Sequence, residues 1–162
     1  MIANIKDKVL SDQILLQSSI NRWRDEGLKI VFTNGCFDII HAGHVFYLES
    51  AKSLGDILIV GLNSDESVTR LKGPSRPIND QIQRSHVLAA LASVDAVVVF
   101  DDDDPLVLIK DINPDILVKG GDWTPDKIIG SDHVLSNGGK VMSLQFIEGQ
   151  STTSIEQKIK NT

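Results

Sequence analysis

Five short apolar runs constrain this chain more than any other feature: Lys29–Asn34, Asp56–Leu62, Ala96–Phe100, Ile116–Lys119 and Lys140–Leu144. They carry apolar residues at successive positions, without the in–out alternation of a strand that has one solvated face. Such runs are expected to be strands buried on both faces. Helical patterns lie between them. From Gly43 to Leu54 the apolar residues Val45, Phe46, Leu48, Ala51 and Leu54 recur at helical spacing, and Gly55 stops the run. Asp80–Ala92 opens with Asp80 and Gln83 spaced as a capping box, Asp104-Pro105 opens another helix, and Ser151–Ile159 closes the chain as a third. Strands alternating with helices predict an α/β fold, a doubly wound parallel five-stranded sheet with its ligand crevice outside the carboxyl ends of the strands. One domain spanning residues 1–162 is expected, with residues 1–27 as an N-terminal helical extension. Within it Ser11–Glu26 reads as an amphipathic helix, whose apolar face at Ile14–Ile20 covers either its own sheet or a second copy of the chain. A homodimer is the expectation.

The bulk properties exclude several classes. A net charge of −6 argues against broad binding to nucleic acid, which needs a basic face to displace counterions. With Cys36 the single cysteine, there is neither a disulfide framework nor a cysteine zinc cage. The N-terminus places Lys6, Asp7 and Lys8 where a signal peptide needs an apolar run. No stretch approaches the ~18–20 apolar residues of a membrane span, so a cytoplasmic protein without membrane contact is expected.

The chemistry concentrates at strand ends. After the first strand comes Gly35-Cys36-Phe37-Asp38-Ile39-Ile40-His41-Ala42-Gly43-His44. Here a glycine turn leads into a helix whose first N–H groups have no internal partner and therefore suit an anion. His41 and His44 share one side of that helix start, placed to stabilise charge building on phosphate oxygens. The same pair also fits capping, packing or a metal; zinc is disfavoured because His86 and His133, the other histidines, lack ligand-like spacing. Neither a P-loop nor a dinucleotide fingerprint accounts for the glycines. Cys36 reads as a small turn residue.

Glu148-Gly149-Gln150-Ser151-Thr152-Thr153 precedes the last helix. Thr153 and Glu156 fit a capping box, but three hydroxyls exceed what one cap needs, so a second phosphate group is expected there. The Leu71–Pro77 loop is the expected mobile flap, folding Lys72 over polyphosphate. Arg84 is expected to reach the same crevice, and Arg76 reads both as surface and as a ligand. At the end of the fourth strand, Lys119-Gly120-Gly121-Asp122-Trp123 suits backbone contact with a planar base, with Trp123 either stacking or packing. Of the acids Asp101–Asp104, Asp104 is expected to cap and the others to favour the helix dipole.

Taken together, these motifs resemble the cytidylyltransferase-like nucleotidyltransferase superfamily, and most closely its ADP-heptose synthase adenylyltransferase branch. The resemblance runs from about Leu28 to Ile159 and includes Asn63-Ser64-Asp65 and Arg76-Pro77-Ile78. It implies a Rossmann-like fold and transfer of AMP from ATP to D-glycero-D-manno-heptose 1-phosphate, a sugar 1-phosphate, with Mg2+ as cofactor. The alternatives are another sugar- or alcohol-phosphate nucleotidyltransferase, or a non-catalytic nucleotide-binding module. His41, His44 and Lys72 are the implied catalytic groups. Asn34, Gly35, Cys36, Phe37, Asp38 and Gly43 are expected at the nucleotide, with Arg84, Lys119, Gly120, Gly121, Asp122, Ser151, Thr152 and Thr153. Asn63, Asp65 and Arg76 are expected at the sugar phosphate. Two departures stand out: the sugar kinase domain often fused in this branch is not expected with this chain, and a separate kinase is expected to supply the substrate. Phe146 stands where cytidylyltransferases carry arginine.

Overall fold

The computed structural model describes residues 4–147, 149 and 151–162. Strands β1 (Ile30–Gly35), β2 (Ile57–Asn63), β3 (Ala96–Phe100), β4 (Ile116–Gly120) and β5 (Lys140–Leu144) form one parallel sheet in the order β3-β2-β1-β4-β5. All five expected runs are strands. Their period of two divides the apolar residues between two cores. Ile30, Phe32, Ile57, Ile59, Ala96, Val98 and Leu117 face one side, whereas Val31, Leu58, Val60, Leu62, Val97, Ile116 and Val118 face the other. Both sets are buried, which is why the runs read as continuous rather than alternating.

The first core is covered by α2 (Gln13–Asp25) and α6 (Leu106–Ile112), the second by α3 (Ala42–Lys52) and α5 (Gln81–Ala90). The amphipathic N-terminal helix thus lays Leu16, Ile20 and Trp23 on its own sheet. Before it, a short α1 (Ile5–Lys8) leads Val9 into a parallel bridge with Val97, along the free edge of β3. An exposed sheet edge is thereby partly covered.

Local signals mostly resolve as expected, with instructive exceptions. Asp80 caps α5 by accepting from the Gln83 N–H at 2.8 Å, but the Gln83 side chain donates to the same carboxylate instead of reaching the backbone. Asp104 accepts from the Leu106 N–H at 2.9 Å at the start of α6. Asp101 and Asp103 do not serve a helix dipole; they pair with Arg70 on α4 (Asp65–Lys72). That helix takes up Leu71 and Lys72, so the expected flap begins only at Gly73. At α8 (Thr152–Lys160) Ser151 is the cap, accepting from the Ser154 N–H at 3.1 Å, and Glu156 turns away to pair with Arg76. A 3-10 turn at Pro125–Lys127 and a short α7 (Ser131–Ser136) connect β4 to β5.

Candidate active site

Parallel strands deliver their carboxyl ends to one edge of the sheet, and the chain order reverses beside β1, with β2 on one flank and β4 on the other. Loops leave such a point in opposite directions, which opens a crevice. Pairing between β1 and β4 stops at Phe32 and Leu117, so Asn34 and Lys119 stand beyond the last paired residues of the two strands. The crevice there has a volume of about 430 Å3 and is bordered by β1 and its turn, α3, Lys72, the Lys119–Gly121 edge, Phe146 and Thr152.

The turn after β1 is built around its glycine and its acid. A Cβ on Gly35 would lie 2.9 Å from the Phe37 ring, and Phe37 itself holds a left-handed φ of 45°. That strained residue sets its ring edge-on to His44, with centroids 5.3 Å apart. Asp38 is buried. It accepts from Arg76 Nη1 at 2.8 Å and from the backbone N–H groups of Ile78 and Asn79, each at 2.9 Å. Burial alone would raise the pKa of this carboxyl, but the bonds from Asn79, Ile78 and Arg76 prevail and hold it below the ordinary value.

His41 and His44 cap α3 reciprocally. The Gly43 N–H donates to His41 Nδ1 at 3.1 Å, and the His41 N–H donates to His44 Nδ1 at 3.4 Å. The capping expectation and the phosphate expectation are therefore compatible. With Nδ1 accepting, the proton of a neutral imidazole must sit on Nε2, which leaves one N–H donor per ring. Neutrality is enforced: burial, aided by His41 and Lys72, lowers the pKa of His44 to about 4, and burial also lowers that of His41. Rings 4.0 Å apart make two neutral donors at a helix N-terminus, a combination suited to oxyanions. His44 borders the crevice, whereas His41 and Gly43 belong to the cap next to it.

Lys72, at the end of α4, and Lys119, at the end of β4, bring two cations to the crevice. Burial lowers the pKa of Lys119. Burial pushes the Cys36 thiol up, against the pull of Lys72 and Arg84, so the thiol is no activated nucleophile. On the far wall a Cβ on Gly120 would lie 2.2 Å from the Phe146 ring, and Gly121 takes a φ of 104°. Gly120 lets the Phe146 ring approach the strand end closely, and Gly121 supplies the left-handed conformation.

Of the remaining expected site residues, only Thr152 borders the crevice. Arg84 is fully buried and donates to the carbonyls of Cys36 (2.7 Å), Asn63 (2.8 Å) and Asn79 (2.9 Å) and to Asp65 Oδ1 (2.7 Å). Its guanidinium ties the ends of β1 and β2 together. Asn63 donates to Ser67 Oγ at 3.0 Å, Asp65 is held by Arg84, and Arg76 by Asp38 and Glu156. Asp122 is exposed at the rim. Of the three hydroxyls at the start of α8, that of Thr152 borders the crevice, Ser151 caps the helix and Thr153 is exposed. Glu148 and Gln150 lie outside the described residues. Tyr47 and Phe146 form an aromatic wall with ring centroids 5.5 Å apart. Tyr47 is one turn beyond His44 on α3, and burial pushes its phenol up to about 12 while its hydroxyl pairs with Thr33 Oγ1 at 2.7 Å. Its place in the site was signalled by that i, i+3 spacing.

The cytidylyltransferase-like family model matches residues 32–158, which takes in the starts of both α3 and α8. This chain belongs to that family. As a cytidylyltransferase-like protein it is a nucleotidyltransferase, and its substrate includes a nucleotide triphosphate. It is 56% identical over 136 residues to the bifunctional protein HldE of Syntrophotalea carbinolica, covering 84% of this chain and 28% of that protein. With the bifunctional protein HldE of Trichlorobacter lovleyi the identity is 51% over 153 residues, 94% of this chain and 31% of the other. The chain thus spans about three-tenths of the length of these curated relatives. Among solved structures, a lipopolysaccharide core biosynthesis protein from Thermoplasma volcanium is 29% identical with a TM-score of 0.60, covering 76% of this chain and 100% of that one. Pantothenate synthetase from Thermus thermophilus, 14% identical with a TM-score of 0.63 over 94% of this chain and 70% of its own, shares the fold. Among the described residues, no helix of this cytidylyltransferase-like chain is long and apolar enough to cross a membrane.

Proposed function

We propose that this chain transfers AMP from ATP to D-glycero-D-manno-heptose 1-phosphate, giving ADP-heptose and pyrophosphate. The observation that carries the chemistry is the pair of imidazoles capping the start of α3, in which each Nδ1 accepts a backbone N–H and each Nε2 is left to donate. The choice of adenosine and heptose is supported by the motif resemblance, by identity above 50% to the two bifunctional HldE proteins, and by the likeness to the lipopolysaccharide core biosynthesis protein of Thermoplasma volcanium. Dependence on ATP fits a cytoplasmic setting.

An acceptor phosphate oxygen is already anionic at neutral pH, so no general base is needed. That oxygen forms a bond to the α-phosphorus while the bond from the α-phosphorus to the α–β bridging oxygen breaks, and pyrophosphate leaves with that electron pair. The chain positions the reactants and stabilises the growing charge. His44 and His41 supply N–H donors, Lys72 and Lys119 supply positive charge, and Thr152 at the start of α8 faces the same space. Among the described residues there is no cluster of three His, Cys, Asp or Glu side chains able to hold a metal, and both oxygens of Asp38 are already bonded. The residues therefore offer no cage of their own, and the implied Mg2+ would arrive as the counter-ion of the triphosphate.

Pyrophosphate release from ATP or CTP, mixed in turn with heptose 1-phosphate, other sugar 1-phosphates and glycerol 3-phosphate, tests the reading. Highest kcat/KM is expected for ATP with heptose 1-phosphate. Preference for CTP, or for a non-sugar acceptor, would overturn it. His44→Ala is expected to lower kcat by ~10²–10³, the scale for one transition-state donor.

A further inference from the structure

A lysine drawn into a protein is normally engaged, because a half-buried ammonium without a partner is costly. Lys8 and Lys52, both half-buried, follow that rule. Lys8 Nζ donates to the Val94 carbonyl at 2.7 Å, and Lys52 Nζ pairs with Asp95 Oδ2 at 2.5 Å. Lys119 is also half-buried, at the end of β4, yet among the described residues no carboxylate lies within ion-pair distance of it. Burial lowers its pKa, so more of this amine is neutral, with a lone pair to share, than of a solvated lysine at the same pH. Lys72 borders the same crevice but is exposed, and its head group keeps its water.

The surroundings of Lys119 are of two kinds. On one side is the crevice, bordered by His44, Lys72 and Thr152, whose donors and positive charge suit an anion. On the other is a smaller, largely apolar cavity of about 190 Å3, bordered by Leu117, Ile128, Ile129 and Trp123. Trp123 is fixed there: its indole N–H donates to the Gly120 carbonyl at 3.1 Å and its backbone N–H to Ser143 Oγ at 3.2 Å. Lys119 borders both spaces. A molecule with a phosphate at one end, a short apolar chain at the other and an electrophilic carbon between them therefore meets this amine at its reactive atom. An acyl phosphate is such a molecule.

We infer that Lys119 is an acylation site, modified by short-chain acyl phosphates whose phosphate lies in the crevice and whose acyl chain lies in the smaller cavity. The inference rests on the reading of the crevice as a phosphate site. The neutral ε-amine attacks the carbonyl carbon. A C–N bond forms as the bond from that carbon to the phosphate oxygen breaks, the electron pair leaves with the phosphate, and the amine proton passes to it. The products are Nε-acyl-Lys119 and hydrogen phosphate. Acylation removes a positive charge that nucleotidyl transfer draws on, so the modified chain is inhibited. ATP and the acyl phosphate compete for the same donors, and the extent of modification follows their ratio.

In the test the full chain is incubated with acetyl phosphate, and acetylation of each lysine is followed by peptide mass spectrometry. The initial rate at Lys119 is expected to exceed that at Lys158 and Lys160, which are exposed on α8, by about tenfold or more, a small share of what holding two reactants together commands. A non-hydrolysable ATP analogue is expected to slow Lys119 and leave Lys158 unchanged. Pyrophosphate-release activity falls in proportion to acetyl-Lys119. Acetic anhydride, which brings the same acyl group without a phosphate, is expected to prefer Lys119 several-fold less strongly. In Lys119→Arg, which keeps the charge but not the nucleophile, acetyl phosphate leaves whatever activity the variant has untouched. Equal rates at Lys119 and Lys158, no protection by the analogue, or the same preference with acetic anhydride would each overturn the proposal; all three are read on the wild-type chain. Affinity of the unmodified chain for the analogue, measured by titration calorimetry, separates the two readings. Binding without selective acylation sinks the assignment of Lys119 alone, whereas no binding sinks the phosphate crevice and the assignment with it.

Discussion

Arg76 Nη1 donates to Asp38 Oδ2 at 2.8 Å, and the opposite amino group of the same guanidinium pairs with Glu156 on α8. One side chain thus joins three segments distant in sequence: the turn after β1, the loop after α4 and the last helix. These segments carry or adjoin His44, Lys72 and Thr152, which border the crevice. Asp38→Ala leaves Arg76 and two backbone N–H groups without their acceptor, and is expected to cost about 3 kcal/mol, the low end for removing one partner of a buried ion pair. Chemical denaturation measures it. Glu156 is more exposed, so Glu156→Gln is expected to cost no more than about 1 kcal/mol while raising ATP KM by loosening the start of α8. An Asp38→Ala protein as stable as wild type would show that the tie contributes nothing.

Arg84 makes the corresponding tie between β1 and β2, and it is wholly buried. Arg84→Met keeps the length but strips the carbonyls of Cys36, Asn63 and Asn79 of their donor. A loss of about 3–5 kcal/mol is expected, at about 2–4 °C of Tm for each kcal/mol in a chain of this size. If thermal unfolding were unchanged and only ATP KM rose, Arg84 would be a ligand instead of a brace.

His44 couples stability to pH. Its folded-state pKa of about 4 lies below the ordinary value of about 6.5, so in between the unfolded chain takes up a proton that the folded chain refuses. Stability from this group is therefore complete above about pH 6.5 and declines as pH falls toward about 4. Asp38, depressed below the ordinary carboxylate value, adds a loss only at still lower pH. Replacing His44 with Gln is expected to flatten the stability profile between pH 6.5 and 4, measured by urea midpoints. Wild-type kcat is expected to show no inflection near pH 6.5, since the imidazole is already neutral.

Gly120→Ala tests the aromatic wall. The new methyl would meet the Phe146 ring at 2.2 Å, and that ring is half-exposed and free to swing outward. Stability is expected to change by less than about 1 kcal/mol, as for a clash a surface side chain can relieve. ATP KM is expected to rise as the Tyr47–Phe146 surface is lost. Normal ATP KM alongside normal stability would exclude the wall from nucleotide binding.

The sequence by itself determined the strands, the parallel sheet and where the helices α3 and α8 start. Each rests on a local signal: both-face apolar runs such as Ala96–Phe100, and a glycine turn opening directly into a helix at Gly35–His44. N–H groups without an intrahelical partner follow from backbone geometry alone, so the expectation of an anion at these helix starts needed no contacts. Tertiary structure decided which polar residues face the ligand and which face one another. Asp38, Arg76, Arg84, Asn63 and Asp65 sit in motifs beside the crevice, yet each is engaged by a partner 4 to 48 positions away. No periodicity encodes such pairings, because burial makes a charged group seek whichever partner the fold brings near. A small cavity of about 190 Å3 beside the crevice, bordered by Asn34, Trp123 and Ile129, is likewise a product of packing. Asn34, Trp123 and Ile129 meet only because β1 and β4 are neighbours in the sheet and not in the chain.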